Sequence, residues 1–336
     1  MKKIRLALAP GLKVQFSDRE QALRKVEEWA KESTRLPEVV FGPEGCGKTA
    51  WLRQSAVLLK ELGYHVVYVD PLRKYFEAYT DVKEVVRRLA DAAAEALGEA
   101  KVKLASLVID VTVELIKRRR KKVAVLVDDV FQAVGLNEAA SYVKALLGLI
   151  EYPPRSGDSI VVVVATGEGI TRREIGRHRW ADLMPMWNMP RDGFKQLYDQ
   201  IPGEKPLFEV VWKAAGGNPG LLAWLYKTKW RSDSVVKKLI REKRIKAFIS
   251  KLGDEERELL RRAVEDPDVL YTREGIPLME RLVDMYLIVD TLPEREPWFW
   301  AGESPSERDP ELGVGKDVAW QTPLHREAVK RALEGA

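Results

Sequence analysis

The segment Gly42-Pro43-Glu44-Gly45-Cys46-Gly47-Lys48-Thr49 fits the pattern G-x-x-x-x-G-K-[ST] at every fixed position. Each fixed residue type has a chemical reason. Glycines let the backbone curl until successive amides point inward at phosphate oxygens. A helix opening at the end of such a loop adds free amides, Ala50 among them, and the positive end of its dipole. Lys48 would reach the β- and γ-phosphates of a nucleoside triphosphate, and Thr49 would offer its hydroxyl to magnesium. A second constellation lies downstream, where the apolar run Val123-Ala124-Val125-Leu126-Val127 ends in Asp128-Asp129. Asp128 is the natural magnesium ligand, directly or through water. Asp129 is placed to orient and deprotonate an attacking water, a position where many such nucleoside triphosphatases carry Glu. A third apolar run ends at Ala165-Thr166-Gly167-Glu168. Thr166 reads either as a polar sensor of the γ-phosphate or as a strand end entering a turn. Arg172, Arg173, Arg177 and His178 follow. One of them, Arg172 by preference, would serve as an arginine finger, and the others would line a solvated helix face. No N-K-x-D motif for guanine occurs, so ATP is favoured over GTP.

These groups converge only if strands carry them to one sheet edge. Val39–Phe41 predicts a short buried strand entering the loop, and Thr49–Leu62 a helix leaving it. Further strands are predicted at His65–Val69, Val123–Val127, Ser159–Ala165 and Leu183–Trp187, with helices at about 81–97 and 101–119. Alternating strands and helices predict an α/β fold with a doubly wound parallel sheet, whose ligands sit at the carboxyl ends of the strands. The valine runs at 123–127 and 160–164 are continuous rather than alternating, as befits central strands covered on both faces. Upstream, Ser17-Asp18-Arg19-Glu20 has the form of a capping box and predicts a helix to about Lys31. After Pro190 the pattern turns helical, at about 191–200, 205–215, 220–229 and 233–250. Gly253 reads as a boundary, followed by helices near 254–265, 275–285 and 324–333.

Length and composition bound the rest. At 336 residues, two or three domains are expected. No apolar run approaches the roughly 20 residues of a membrane span. The start Met1-Lys2-Lys3 is soon broken by Pro10 and Gly11, so neither a signal peptide nor a membrane anchor is expected, and the reading is cytoplasmic. One cysteine, Cys46, excludes a disulfide within the chain and a cysteine-based metal cluster. A single cysteine and three asparagines beside abundant Lys, Arg and Glu fit a protein from a hot environment. The net charge of +5 hides an asymmetry: residues 1–253 sum to +14 and residues 254–336 to −9. Residues 201–253 alone carry +8. A polyanion would prefer the first part and be repelled by the last.

The set Phe16-Ser17-Asp18-Arg19-Glu20, the phosphate loop, Asp128-Asp129 and Gly216-Gly217-Asn218-Pro219 resembles the archaeal ATPase family, a STAND branch related to AAA+ proteins. The segment Arg173 to His178 with Trp180 is similar to that family as well. The resemblance implies a P-loop ATPase core over residues 1–200, a helical lid over 201–253 and a C-terminal winged-helix-like domain over 254–336. It also implies that Phe16 and Arg19 lie near the base and that Pro219 packs near the adenine. From the residues alone, Gly216 to Gly220 is a tight turn followed by a helix.

Two functions then compete. One is a slow, magnesium-dependent ATPase acting as a conformational switch between core, lid and winged helix, with a protein partner on the acidic C-terminal domain. The other is a DNA-associated AAA+-like ATPase that grips DNA through its basic core and lid. The lid lacks the G-D-x-R arginine sensor of origin-recognition proteins. The candidate recognition helix, Ile276 to Met285, sets Glu280 and Asp284 against a single Arg281, so the C-terminal domain is not expected to hold DNA.

Overall fold

The structure is a computed structural model that describes residues 1–95, 100–154, 159–167 and 170–335. In chain order, strands β1 (Arg5–Ala9) and β2 (Leu12–Gln15) precede helix α1 (Glu20–Glu32). Then come β3 (Glu38–Phe41), α2 (Lys48–Glu61), β4 (His65–Asp70), β5 (Tyr75–Tyr79), α3 (Lys83–Ala94), α4 (Ala100–Lys117) and β6 (Lys122–Asp128). After these stand α5 (Val130–Val134), α6 (Leu136–Glu151), β7 (Ser159–Ala165), α7 (Ile170–Gly176) and β8 (Asp182–Pro185). Helices α8 (Arg191–Asp199), α9 (Phe208–Ala215), α10 (Pro219–Lys227), α11 (Ser232–Glu242), α12 (Ile245–Ile249), α13 (Asp254–Glu265) and α14 (Ile276–Asp284) follow. Strands β9 (Ile288–Val289) and β10 (Ala319–Trp320) and helix α15 (Pro323–Glu334) complete the chain.

The chain divides into two compact units, one of Met1–Ile4, Glu20–Phe41 and Lys48–Pro185, the other of Arg5–Arg19, Gly42–Gly47 and Met186–Ala336. The first unit is a six-stranded sheet in the order β5-β4-β6-β7-β3-β8. All pairings are parallel except β4 with β5. The sheet is therefore mixed but mostly parallel, and departs from the parallel sheet expected only in its antiparallel edge strand β5. Strands β6 and β7 are buried on both faces, which is why their valines run without polar alternation. Strand β7 stands between the loop strand β3 and the aspartate strand β6. The register places Val40, Ala165 and Asp128 in one row across β3, β7 and β6. At the usual interstrand spacing Asp128 is thus roughly 10 Å from the strand that feeds the loop. Lys122, which closes the basic run 117–122, opens β6 at the opposite end of the same strand.

The second unit contains the β1–β2 hairpin and helices α8 to α15. Ala9, Leu12 and Val14 of the hairpin share one core with Phe194, Leu222, Val236, Leu282 and Val329.

Several expectations need correction. The hairpin β1–β2, strand β5 and helices α5 and α6 were not anticipated. Strand β5 pairs antiparallel along β4, and its Glu77 accepts hydrogen bonds from Tyr75 and Tyr79 of the same strand and from Arg53 of α2. The helix expected to reach residue 97 ends at Ala94, and residues 96–97 lie outside the described ones. The helix expected over 233–250 is two helices, because Arg244 takes a left-handed conformation with φ 53°. The capping box is absent. Ser17 donates its hydroxyl to the Gln15 carbonyl and accepts from Gln200, while Asp18 (φ 61°) and Arg19 (φ 70°) both turn left-handed. That turn buries Arg19.

Candidate functional site

In the first unit, α2 opens at Lys48, and Thr49 is the next residue along it. Its partner is Asp128, the last residue of β6, only 1% exposed. The Thr49 hydroxyl donates to the Asp128 carboxylate, and the Tyr68 hydroxyl on β4 donates to its Oδ2 at 3.0 Å. Burial pushes the Asp128 carboxyl up to about 7, helped by the charges of Asp129 and Asp70 and opposed by the two hydroxyl donors. Burial, with Asp128 and Asp70 beside it, also pushes the Tyr68 phenol above its ordinary value. Asp129 is left-handed at φ 48°, and its amide donates to the Ala165 carbonyl at 2.9 Å. Thr166 is 2% exposed, and its amide donates to the Val40 carbonyl at 2.9 Å, so it prolongs the β7–β3 pairing. The Arg172 guanidinium lies 5.4 Å from the centre of the Phe41 ring, at the last residue of β3. Glu168, in the turn read after the sensor strand, lies outside the described residues. Lys48, Thr49, Asp128, Asp129, Thr166 and Arg172 thus all stand at the carboxyl edge of one sheet.

In the second unit, residues Gly42–Gly47 form a turn with its own supports. Gly42 must be glycine, since a Cβ there would lie 2.1 Å from the Met186 carbonyl oxygen. The Cys46 thiol, fully buried, donates to the same carbonyl at 3.6 Å. Both backbone groups of Glu44 are held: its amide donates to Gln321 at 3.0 Å and its carbonyl accepts from Asn218 at 2.9 Å. The Glu44 carboxylate pairs with Lys243 at 3.2 Å. Asn218 also donates to Asn188 at 2.8 Å and caps α10 by accepting from the Leu221 amide at 3.0 Å. The Gly216-Gly217-Asn218-Pro219 turn therefore fastens the loop from below. Gly217 allows it, with φ 78° and the Met189 carbonyl oxygen 2.1 Å from where a Cβ would stand.

Arg19 donates its Nη2 to the Cys46 carbonyl at 2.5 Å, and its Nη1 is buried with no hydrogen-bond partner among the described residues. Burial lowers its pKa, against the pull of Cys46, Asp18 and Glu303. A Cβ on Gly47 would meet Arg19 Nη2 and Pro219 Cγ, each at 3.9 Å. Arg19 and Pro219 thus come together beside the loop. Phe16 is buried just after β2. Sequence reasoning missed Tyr68, Asn188 and Gln321 altogether, because their roles depend on which strand or turn folds against them. Asn218 was read only as part of a turn.

Thr49 and Asp128 provide one hydroxyl and one carboxylate, hard oxygen donors of the kind that hold magnesium with few protein ligands. The crowding of Asp70, Asp128 and Asp129 is the chemistry a divalent cation would relieve. Among the described residues no helix is long and apolar enough to cross a membrane.

A sequence profile of an ATPase domain predominantly from Archaea matches residues 16–225. No curated protein matches the chain. Among solved structures, the chain is similar to the Aeropyrum pernix ORC2 protein in its ADP form, at 13% identity and a TM-score of 0.45, covering 94% of this chain and 93% of that one. The Aeropyrum pernix ORC1 protein in complex with DNA matches at 14% identity and TM-score 0.37, over 95% and 93% of the two chains. AMPPCP-bound DnaA from Aquifex aeolicus matches at 15% identity and TM-score 0.37, over 74% and 68%. Similarity at that level carries no functional conclusion.

Proposed function

The chain belongs to the ATPase domain family found predominantly in Archaea, and from that premise we propose that it binds ATP with magnesium at residues 42–50 and hydrolyses it slowly to drive a conformational switch. The observation that supports this reading best is the hydrogen bond joining Thr49 to Asp128, two residues remote in sequence, beside Lys48. Loop amides from Gly42 to Thr49 would cradle the phosphates, with Ala50 at the helix start. Lys48 would neutralise charge on the β- and γ-phosphates, and Thr49 and Asp128 would hold magnesium. When bound, the metal supplies charge neutralisation between the phosphate oxygens. Asp129 would orient the attacking water and accept its proton, Thr166 would sense the γ-phosphate, and Arg172 would stabilise charge developing on it. Phe16, Arg19 and Pro219 would lie on the base side.

Residues of the loop belong to both units, and the switch is proposed on that chain continuity. Within it we assign residues 1–200 as ATPase core, 201–253 as lid and 254–336 as a winged-helix-like domain. The exposed positions of α14 include Glu280 and Asp284, which favours a protein partner over DNA for the C-terminal part. A second reading, a DNA-associated ATPase, is favoured by the net charge of +8 on residues 201–253.

ATP turnover with magnesium, with and without duplex DNA, separates the two readings when Lys48→Ala and Asp129→Ala are run beside the wild type. Slow turnover that needs both residues and ignores DNA supports the switch. A several-fold stimulation by DNA in wild type alone moves the assignment to the DNA-associated ATPase, and turnover independent of Lys48 sinks both.

A further inference from the structure

Two features of the second unit have complementary chemistry. The first is Trp298, 65% exposed and stacked on Phe299 with ring centres 3.9 Å apart. Its segment carries Glu294, Glu296, Glu303 and Glu307, all exposed; Glu303 acts on Arg19 and Glu307 on Arg295, while Glu294 and Glu296 beside Trp298 make no ion pair among the described residues. Two residues on, Trp300 is 1% exposed and donates its Nε1 to the Glu294 carbonyl at 2.8 Å. The loop is therefore anchored by one indole while it presents the other to solvent. An isolated exposed apolar residue is ordinary, but one this large on an anchored acidic loop has the form of an interaction tip.

The second feature is a groove of about 840 Å³ lined by Glu204, Lys205, Tyr226, Lys227, Lys229 and Trp230, three lysines against one glutamate. Tyr226 and Trp230 meet edge to face, 6.1 Å between ring centres. Trp230 is fixed by a hydrogen bond from its Nε1 to the Glu204 carbonyl at 3.2 Å. Its backbone and that of Lys229 are both left-handed, with φ 63° and 52°, a strained pairing at the end of α10. Lys227 and Lys229 are exposed and make no ion pair among the described residues.

We propose that the Trp298 loop of one copy of this chain seats in the Lys227–Trp230 groove of a second copy. An indole matches an aromatic floor through stacked or edge-to-face contact, and lysines that outnumber the groove's glutamate add cation–π attraction. The glutamates flanking Trp298 meet those same lysines, so the charges that repel within each patch attract across the contact. The opposite signs of residues 201–253 and 254–336 are then two halves of one interface. The inference does not depend on the nucleotide reading.

Sedimentation velocity on the full-length, nucleotide-free chain tests it, over about 1 to 100 µM, a range that brackets micromolar affinities. Wild type is expected to sediment faster as concentration rises, less so at high salt. Trp298→Ala alone, and Lys227→Glu with Lys229→Glu alone, should stay monomeric throughout while melting like wild type, since all three side chains are exposed. An equimolar mixture of the two variants should associate more than either alone, because each supplies the half that the other lacks. A monomeric wild type, variants that associate as wild type does, or a mixture no more associated than its components would each overturn the proposal.

Discussion

Asn218 offers the sharpest test of how the loop is held. It is 1% exposed, and its amide spends both hydrogens on acceptors, Glu44 O at 2.9 Å and Asn188 Oδ1 at 2.8 Å. Its oxygen accepts from the Leu221 amide at 3.0 Å as the N-cap of α10. Asn218→Ala removes the cap, worth about 1 kcal/mol, and two further bonds worth about 1 kcal/mol each. The expected loss is on the order of 3 kcal/mol, with the Glu44 carbonyl and Asn188 left without their donor. Asn218→Asp separates the contributions. The carboxylate can still cap α10 but has no hydrogen to give, and it faces two acceptor oxygens, so at neutral pH it should be no more stable than the alanine variant. Guanidinium denaturation followed by tryptophan fluorescence gives the stabilities, and ATP affinity, expected to fall in both variants, reports on the loop. If Asn218→Asp matched wild type in both measurements, the amide donors would contribute nothing and the account of the loop's support would be wrong.

Three other outcomes follow from the same reasoning. Glu38, 5% exposed on β3, has its carboxyl pushed up to about 8 by burial and by Asp182, with Lys25 opposing. Its folded form holds a proton that the unfolded chain releases near pH 4.5, so stability should fall as pH rises from about 4.5 to 8, by roughly 4–5 kcal/mol in all. Glu38→Gln should flatten that limb of a denaturation-versus-pH curve, and parallel curves would refute it. Tyr68→Phe takes a donor from the buried Asp128 carboxylate and should raise the magnesium needed for half-maximal turnover about tenfold, by titration with metal, and cost roughly 1–3 kcal/mol of stability. Gly217→Ala drives a Cβ to within 2.1 Å of the Met189 carbonyl oxygen at a φ of 78°, and should cost several kcal/mol in the same guanidinium assay.

The sheet and half of the site were legible because their signals are local. A loop of fixed spacing between a strand and a helix, and a valine run ending in two aspartates, carry their meaning in consecutive residues. What was illegible depends on distant partners. Tyr68 looks like any strand tyrosine until β4 pairs with β6, and Gln321 gains its role only when its turn meets the Glu44 amide. Ser17 misled because the sequence form of a capping box does not register that Asp18 and Arg19 would both turn left-handed. The break at Arg244 has no glycine or proline to announce it. Nothing in the string Trp298-Phe299-Trp300 tells its two indoles apart, and only the fold buries Trp300 while it leaves Trp298 exposed.

The central claim is that residues 42–49 bind a nucleoside triphosphate through Lys48, and titration of ATP with magnesium into wild type and Lys48→Ala tests it most directly. A lysine bonded to phosphate is worth about 1.5–3 kcal/mol, so the variant should bind roughly 10- to 100-fold more weakly. Equal affinity in the two proteins would contradict the account.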